Sequence, residues 1–336
     1  MYRHLFPIAA AILLSACRNT VAPYHEENGS VFNTLYHIKY QSPQPLSSQI
    51  DSTFQALNNS FNPFLPTSCI ARLNRNETSY TDEHLRRIIT RALEISRLSD
   101  GVFDITAAPL INLWGFGYQR HDTVTPQAID SILRFVGYQK IRLLPDGRLQ
   151  KDDPRIQINC SAIAKGYAAD VIADVLRRYG AENYMVEIGG EIVLCGYNAQ
   201  GQPWRIGIRQ PHENPAGEGL QDILSLTEPC GIATSGDYLN YYRQDGRTYA
   251  HTIDPRTGYP SRQNILSATV IAEDAMTADA LATTFNALGL DRAIPLADSL
   301  ASPACPAPIR YHFIYADSLA APDSPLQTRS SPSLLH

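Results

Sequence analysis

The 336-residue chain has little of several features that would assign a protein to a class at once. Its 28 basic residues are scattered, only four of them are lysines, and the formal net charge is −5, which argues against a nucleic-acid-binding groove. Its 20 glycines and 23 prolines are ordinary numbers, which excludes collagen-like and low-complexity chains. With 44% hydrophobic residues, the chain still has enough apolar material for one large or two smaller globular domains.

Cysteine is scarce and shows no pattern. Five cysteines follow residue 17, an odd number at wide spacings, and no C-x-x-C pair occurs. This excludes a disulfide framework and a zinc knuckle, and it predicts isolated, buried thiols.

The N-terminus lacks the run of about 20 apolar residues that a bilayer-spanning helix needs. Residues 1–17 instead read MYRHLFPIAAAILLSAC, with a short basic start and a mostly apolar stretch, which is typical of an export signal. The closing Leu-Ser-Ala-Cys resembles a bacterial lipobox. Cys17 is therefore predicted to carry a lipid that anchors the chain to a bacterial membrane, facing the periplasm. The alternative is a plain secretory signal.

Composition divides the rest of the chain into three parts. Residues 18–28 are polar and are predicted to form a tether, and residues 29–316 are predicted to form the folded domain. Residues 317–336 are rich in Ser and Pro and are predicted to be a frayed tail.

Within the domain, hydrophobic periodicity distinguishes helices from strands. Helices are predicted over 82–98, 126–136, 161–179 and 275–288. Strands are predicted over 31–40, 184–188, 191–195, 204–208, 265–272 and 311–315. Because the two kinds of element are mixed without a regular βαβ period, we predict an α+β fold rather than a doubly wound sheet.

Two of the four clusters that could carry chemistry suit a bound nucleotide. The segment from Asp104 to Gly117 is aromatic and glycine-rich, which fits either a ring-binding wall or a tight turn in the core. Asn159 to Gly166 opens the clearest helix, whose N-terminal N–H groups favour phosphate. Lys165 in the first turn opposes the helix dipole unless an anion is near, although a simple surface lysine also fits.

The other two clusters suit proton transfer and metal binding. His251, in a turn with Asp254, is a candidate for proton transfer, unless it is a structural histidine paired with an aspartate. Asp279 and Thr283 are four residues apart and share one helix face. Their oxygens suit Mg²⁺ or Ca²⁺. Alternatively, Thr283 bonds back into its own helix and Asp279 is solvated.

In their order along the chain, these segments resemble the ApbE family, FAD:protein FMN transferases that are often periplasmic lipoproteins. The resemblance extends from about Phe32 to Tyr315, most of the chain after the signal. It rests on Phe32–Tyr36, Ser68–Asn74, Asp100–Gly117, Ala162–Asp170, Ile188–Glu191, Thr234–Tyr238, His251–Gly258 and Ala278–Thr283.

The resemblance implies an Mg²⁺-dependent enzyme that cuts the pyrophosphate of FAD, attaches FMN to a threonine hydroxyl of a target protein and releases AMP. The implied targets are membrane subunits of respiratory redox pumps, and the implied anchor is in the inner membrane. By position, Asp279, Thr283 and the carbonyl of Ala162 would bind the metal, and His251 is the candidate base. Contacts to the flavin nucleotide would fall on Phe32, Phe64, Val102, Phe103, Asp104, Asn159 and Lys165.

The chain departs from the family's usual residues around the flavin. Phe32 and Asn33 replace Met-Gly, Phe64 stands where Tyr is frequent, Asn159 replaces Asp, and Cys69 stands where Glu is common. None of these changes touches the implied metal ligands, so activity is expected to survive. Two alternatives stay open: an FAD hydrolase that yields FMN and AMP, and a non-catalytic flavin-binding lipoprotein. The metal and base residues argue against the second.

Overall fold

The structure is a computed structural model. It describes residues 22–116, 124–211, 219–236, 241–244, 247–250, 252–261, 264–316 and 325–334. The helices in these residues are α1 Ser47–Phe61, α2 Cys69–Asn74, α3 Glu83–Leu98, α4 Ala108–Leu113, α5 Pro126–Leu133, α6 Ala164–Arg178, α7 Ala275–Leu288 and α8 Leu290–Leu300. The strands are β1 Tyr24–Val31, β2 Thr34–Gln41, β3 Ile141–Leu143, β4 Leu149–Lys151, β5 Tyr184–Ile188, β6 Glu191–Cys195, β7 Trp204–Arg209, β8 Leu220–Leu226, β9 Cys230–Ser235, β10 Tyr241–Gln244, β11 Arg247–Ala250, β12 Ile253–Asp254, β13 Tyr259–Pro260, β14 Ile265–Ala272, β15 Arg310–Tyr315 and β16 Gln327–Ser330.

Eight strands form one sheet in the order β1-β2-β5-β6-β9-β14-β15-β16. Every neighbouring pair in it is antiparallel. Four two-stranded ribbons accompany it: β3-β4, β7-β8, β10-β11 and β12-β13. The predicted α+β class is confirmed, because helices and an antiparallel sheet coexist without βαβ repeats.

Alternation along the central strands gives the sheet two buried faces. Val193, Ala233 and Val270 point to the main core, which α1, α3, α6 and α7 cover. Their neighbours in sequence point to the opposite face, where the β7-β8 ribbon packs with Trp204 and Leu224. Since both faces are covered, these strands read as continuous apolar runs rather than as half-exposed ones.

The boundaries predicted from composition need correction at both ends of the domain. β1 pairs with β2 from Tyr24 to Val31, so residues 24–28 belong to the sheet and not to a tether. The predicted strand over 31–40 is confirmed for residues 34–40, which lie in β2, but it starts too early, because Phe32 and Asn33 turn the chain with φ of 52° and 60° between β1 and β2. At the other end, β16 pairs with β15, so part of the predicted tail is the last strand of the sheet.

No helix in the described part of the chain is long and apolar enough to cross a bilayer. All five cysteines that the structure describes are free, as predicted, but only Cys160 and Cys230 are buried.

Candidate active site

A cavity of about 1030 Å³ lies where the start of α6, the middle of α7 and the β5-β6 turn meet. Ala162, just before α6, lines it together with Asp279 and Thr283 from α7. Lys165 and Glu191 line it as well. Ala162, which is far from α7 in the sequence, therefore shares one cavity with Asp279 and Thr283, and the resemblance implies these three residues as metal ligands.

A glycine on α6 permits the close approach of α7. The Gly166 amide donates a hydrogen bond to Asp279 Oδ2 over 3.1 Å. A Cβ on Gly166 would lie 2.1 Å from the carbonyl oxygen of Ala275 and 2.9 Å from Asp279 Cβ. Any larger residue would push the helices apart, so Gly166 keeps the Asp279 carboxylate close to the start of α6.

The alternative in which α7 presents an ordinary solvated face is wrong. Asp279 is only 5% exposed, which is far from a solvated aspartate. The hydroxyl that bonds back into the helix belongs to Thr284, which donates to the carbonyl of Ala280 over 2.7 Å. The neighbouring Thr283 is half-buried and lines the cavity.

The charge of Lys165 is balanced inside the protein. Its Nζ lies 2.7 Å from Glu191 Oε1, and the Glu191 side chain is only 6% exposed. Burial lowers the pKa of Lys165, but the Asp279 and Glu191 carboxylates outweigh burial and leave that pKa raised. The conflict between Lys165 and the dipole of α6 is thus relieved by the chain's own carboxylates, so it does not by itself indicate a bound anion.

Glu191 is the site residue to which sequence reasoning gave no role. Burial raises its pKa to about 8, and repulsion from Asp279 adds to the shift. Burial likewise raises the pKa of Asp279. Among the described residues, Glu191 Oε2 has no hydrogen-bond partner. The signal was visible in the sequence, because a charged residue opens the otherwise apolar run of β6.

The donor set fits a hard divalent cation. When both carboxylates are ionised, their charge exceeds that of the single ammonium, and a bound cation would offset the excess. In the part of the chain that the structure describes, no three His, Cys, Asp or Glu side chains form a metal-binding group. A cation at Asp279 would therefore also need hydroxyl, carbonyl or substrate oxygens, which is the way Mg²⁺ is usually bound.

The raised pKa of Glu191 predicts a pH-dependent stability in metal-free solution. The pKa is about 8 in the folded chain against an ordinary 4.5, so folding binds a proton more tightly. This stabilising contribution is complete below about pH 4.5 and is lost as the pH rises through about 8, on the order of a few kcal/mol. Urea unfolding in EDTA across this range should show the loss. Glu191→Gln should flatten it, whereas Glu94→Gln, at an exposed ion pair, should not. An unchanged slope in Glu191→Gln would contradict the assignment.

A smaller cavity of about 460 Å³ continues from the first. Asn159 and Lys165 line both cavities, and Phe32 and Phe64 line only the smaller one. Phe64 is 58% exposed. The ring of Phe32 packs against that of Phe61, with 5.2 Å between the ring centroids. The structure thus places two of the three aromatic residues implied as flavin contacts, Phe32 and Phe64, beside the N-terminal end of α6.

The loop of Val102, Phe103 and Asp104 forms another wall of the larger cavity. Asp104 Oδ1 accepts hydrogen bonds from the amide and the hydroxyl of Thr106, and Oδ2 accepts from the Tyr138 amide. Burial raises the pKa of Asp104 in spite of these donors. Because both oxygens are occupied by protein groups, the carboxylate shapes this loop.

Asn159 connects the loop to α6. Its backbone N–H donates to the carbonyl of Ile105 over 2.8 Å, and its side-chain oxygen accepts from the backbone N–H of Ser161 over 2.8 Å. The asparagine that replaces the family's usual aspartate therefore keeps the turn that leads into α6.

Two predicted residues, His251 and Cys17, lie outside the described residues, so their roles stay predictions. The next residues of the His251 turn, Thr252 and Ile253, line the larger cavity. Asp254 is paired with Arg256, with 2.6 Å between Oδ2 and Nη2.

Comparison by sequence shows which known proteins this chain is similar to. The model of the ApbE family matches residues 32–305. A relative from Vibrio cholerae named FAD:protein FMN transferase is 36% identical over 310 residues, which cover 89% of this chain and 91% of the relative. One of the same name from Haemophilus influenzae is 32% identical over 310 residues, covering 88% and 89%.

Solved structures agree with the sequence comparisons. The flavin transferase ApbE from Vibrio cholerae superposes with a TM-score of 0.81 at 34% identity, covering 94% of this chain and 99% of that one. The apo form of the Pseudomonas stutzeri flavinyl transferase ApbE gives 0.79 at 28% identity, covering 93% and 96%. Because the family model and these relatives match most of the sequence and the solved structures match the fold, this chain belongs to the ApbE family.

Proposed function

We propose that this chain is an FAD:protein FMN transferase that depends on Mg²⁺. It breaks the P–O–P bond of FAD and joins the FMN phosphorus to a threonine Oγ of a target protein. AMP leaves with the bridging oxygen, and the threonine proton passes to a base. The observation that carries the proposal is the shared cavity of Ala162, Asp279 and Thr283 beside the start of α6.

The residues of the cavity supply what phosphoryl transfer asks of a protein, which is mainly positioning and charge stabilisation. The Asp279 carboxylate, the Thr283 hydroxyl and the Ala162 carbonyl would hold Mg²⁺. When bound, the ion would neutralise charge on the pyrophosphate. Lys165 adds a cation at the same wall, and Glu191 orients it. His251 is the candidate base for the attacking threonine, since its turn borders this cavity.

The phenylalanines of the smaller cavity suit the flavin ring. Phe32 and Phe64 offer apolar surface beside Asn159 and Lys165, which border both cavities. An FAD molecule spanning the two cavities would place its ring on the aromatic side and its phosphates toward α7.

The test of the proposed function is a labelling reaction. We expect the protein, incubated with FAD, Mg²⁺ and a domain of a respiratory redox pump, to produce a fluorescent band in gels. Mass spectrometry should then find an FMN-sized gain on one threonine. EDTA, and a target whose threonine is changed to valine, are the controls. Free FMN without labelled protein would instead identify an FAD hydrolase, and FAD binding without turnover would identify a flavin-binding protein.

The proposal includes the predicted export signal and the lipid predicted on Cys17. A lipid on Cys17 would hold the site at a membrane surface, where membrane-embedded targets are within reach. Labelling of cells with a palmitate analogue should mark the wild-type chain and not Cys17→Ala. A labelled Cys17→Ala chain would contradict the anchor.

A further inference from the structure

The two helices that build the site contact each other through matched turns. Ala162, Gly166 and Asp170 follow one another at four-residue spacing along α6 and the turn that precedes it. Ala275, Asp279 and Thr283 have the same spacing on α7. Residues four apart within a helix lie on the same face. Gly166 and Asp170 therefore share one face of α6, which Ala162 precedes, and the three residues of α7 share one face of that helix.

The contacts pair these turns in reverse order. Gly166 bonds to Asp279. One turn later on α6, Asp170 reaches the first turn of α7, where Oδ1 accepts from the Ala275 amide and Oδ2 from the Met276 amide, each over 2.8 Å. The remaining turns are those of Ala162 and Thr283, which line the larger cavity together.

Asp170 does not line that cavity. It lines a separate space of about 800 Å³ on the α3 side of α6. The N-cap of α7 is a different residue, Asp274, whose Oδ1 accepts from the Thr277 amide over 2.6 Å. The bonds from Asp170 are therefore additional to the local cap, and they satisfy two amides of the first turn from another helix.

We propose that Asp170 is a positioning residue for the metal site. Its carboxylate fastens the first turn of α7 to α6, and so sets how Asp279 and Thr283 face Ala162. This inference rests on the proposed function, because that function gives the three residues a common ligand. Removing the fastening should leave α7 helical, since Asp274 still caps it, but should widen the metal site.

Four variants test the inference, each compared with the wild-type chain. Asp170→Ala removes both bonds, Asp170→Asn keeps one acceptor oxygen, and Asp274→Ala removes a cap bond without freeing α7 from α6. Asp174→Ala is a surface control one turn further along α6, where Asp174 pairs with Arg177. The measurements are calorimetric titration with Mg²⁺, hydrogen exchange at the α7 amides and the Mg²⁺ concentration for half-maximal FAD turnover.

We expect Asp170→Ala to weaken Mg²⁺ binding and raise the half-maximal Mg²⁺ concentration by about tenfold. Excess Mg²⁺ should restore kcat, and the Ala275 and Met276 amides should exchange faster. Asp170→Asn should fall between Asp170→Ala and the wild type, and it decides the matter if Asp170→Ala does not fold. Asp274→Ala should lower Tm but leave the Mg²⁺ requirement unchanged.

The proposal is overturned if Asp170→Ala or Asp170→Asn folds and keeps the wild-type Mg²⁺ affinity. It is also overturned if Asp274→Ala weakens Mg²⁺ binding as much as Asp170→Ala, because the effect would then be general loss of stability. Should the wild-type chain neither transfer FMN nor cleave FAD, the proposed function fails. Calorimetry and hydrogen exchange still judge the role of Asp170 in that case.

Discussion

Asp279→Ala is expected to lower the rate of FMN transfer by about 10²–10³-fold, because it removes the one carboxylate among the proposed metal ligands. Asp279 is almost fully buried, and Gly166 and Lys165 are the groups that stabilise its charge. Its loss takes away that charge without opening a large cavity, so the fold should survive. Transfer is measured by in-gel flavin fluorescence over a range of Mg²⁺ concentrations, with circular dichroism as the check on folding.

The matched comparison for Asp279→Ala is Asp174→Ala, an aspartate on the exposed side of α6. This variant should transfer FMN at the wild-type rate. Full activity in a folded Asp279→Ala protein would show that the metal assignment is wrong. If activity returned when Mg²⁺ was raised, Asp279 would strengthen Mg²⁺ binding without being indispensable to the transfer step.

Gly166→Ala is expected to be the most damaging single-methyl change in the site. The new Cβ would meet the carbonyl oxygen of Ala275 at 2.1 Å, and backbone cannot move aside as the tip of a side chain can. Separating α6 from α7 should cost about 3 kcal/mol or more in the free energy of unfolding. It should also slow transfer by about 10²-fold, because a displacement of about 1 Å in a catalytic group has that effect.

Thermal unfolding and the labelling reaction measure these two effects of Gly166→Ala. Gly29→Ala is the control, since the three heavy atoms nearest to the added methyl group there all belong to the tip of the Tyr36 side chain. That ring can move, so both Tm and activity should stay near the wild-type values. A Gly166→Ala protein as stable and active as Gly29→Ala would mean that the helices do not need this close approach.

The elements of the fold follow largely from local sequence. Residues 184–188, 191–195 and 275–288 form the predicted strands and helix with the predicted bounds. Periodicity is a local property, so it identifies an element without knowledge of its neighbours. The strand predicted over 31–40 is confirmed for residues 34–40, but the prediction failed at residues 32–33, where Phe32 and Asn33 at positive φ form a turn without a recognisable Gly pair. The partner strand β1 was missed because its residues are mostly polar.

The candidate site, too, has features that the sequence predicts and features that only tertiary packing decides. The shared helix face of Asp279 and Thr283 is dictated by the sequence, because four-residue spacing fixes it within one helix. That Lys165 pairs with Glu191, and that the pair faces Asp279, was decided only by tertiary structure. These residues come from three elements, and packing around Gly166 brings two of them together. Helical spacing acts over a few residues, whereas the approach of α6 to α7 depends on the whole core beneath them.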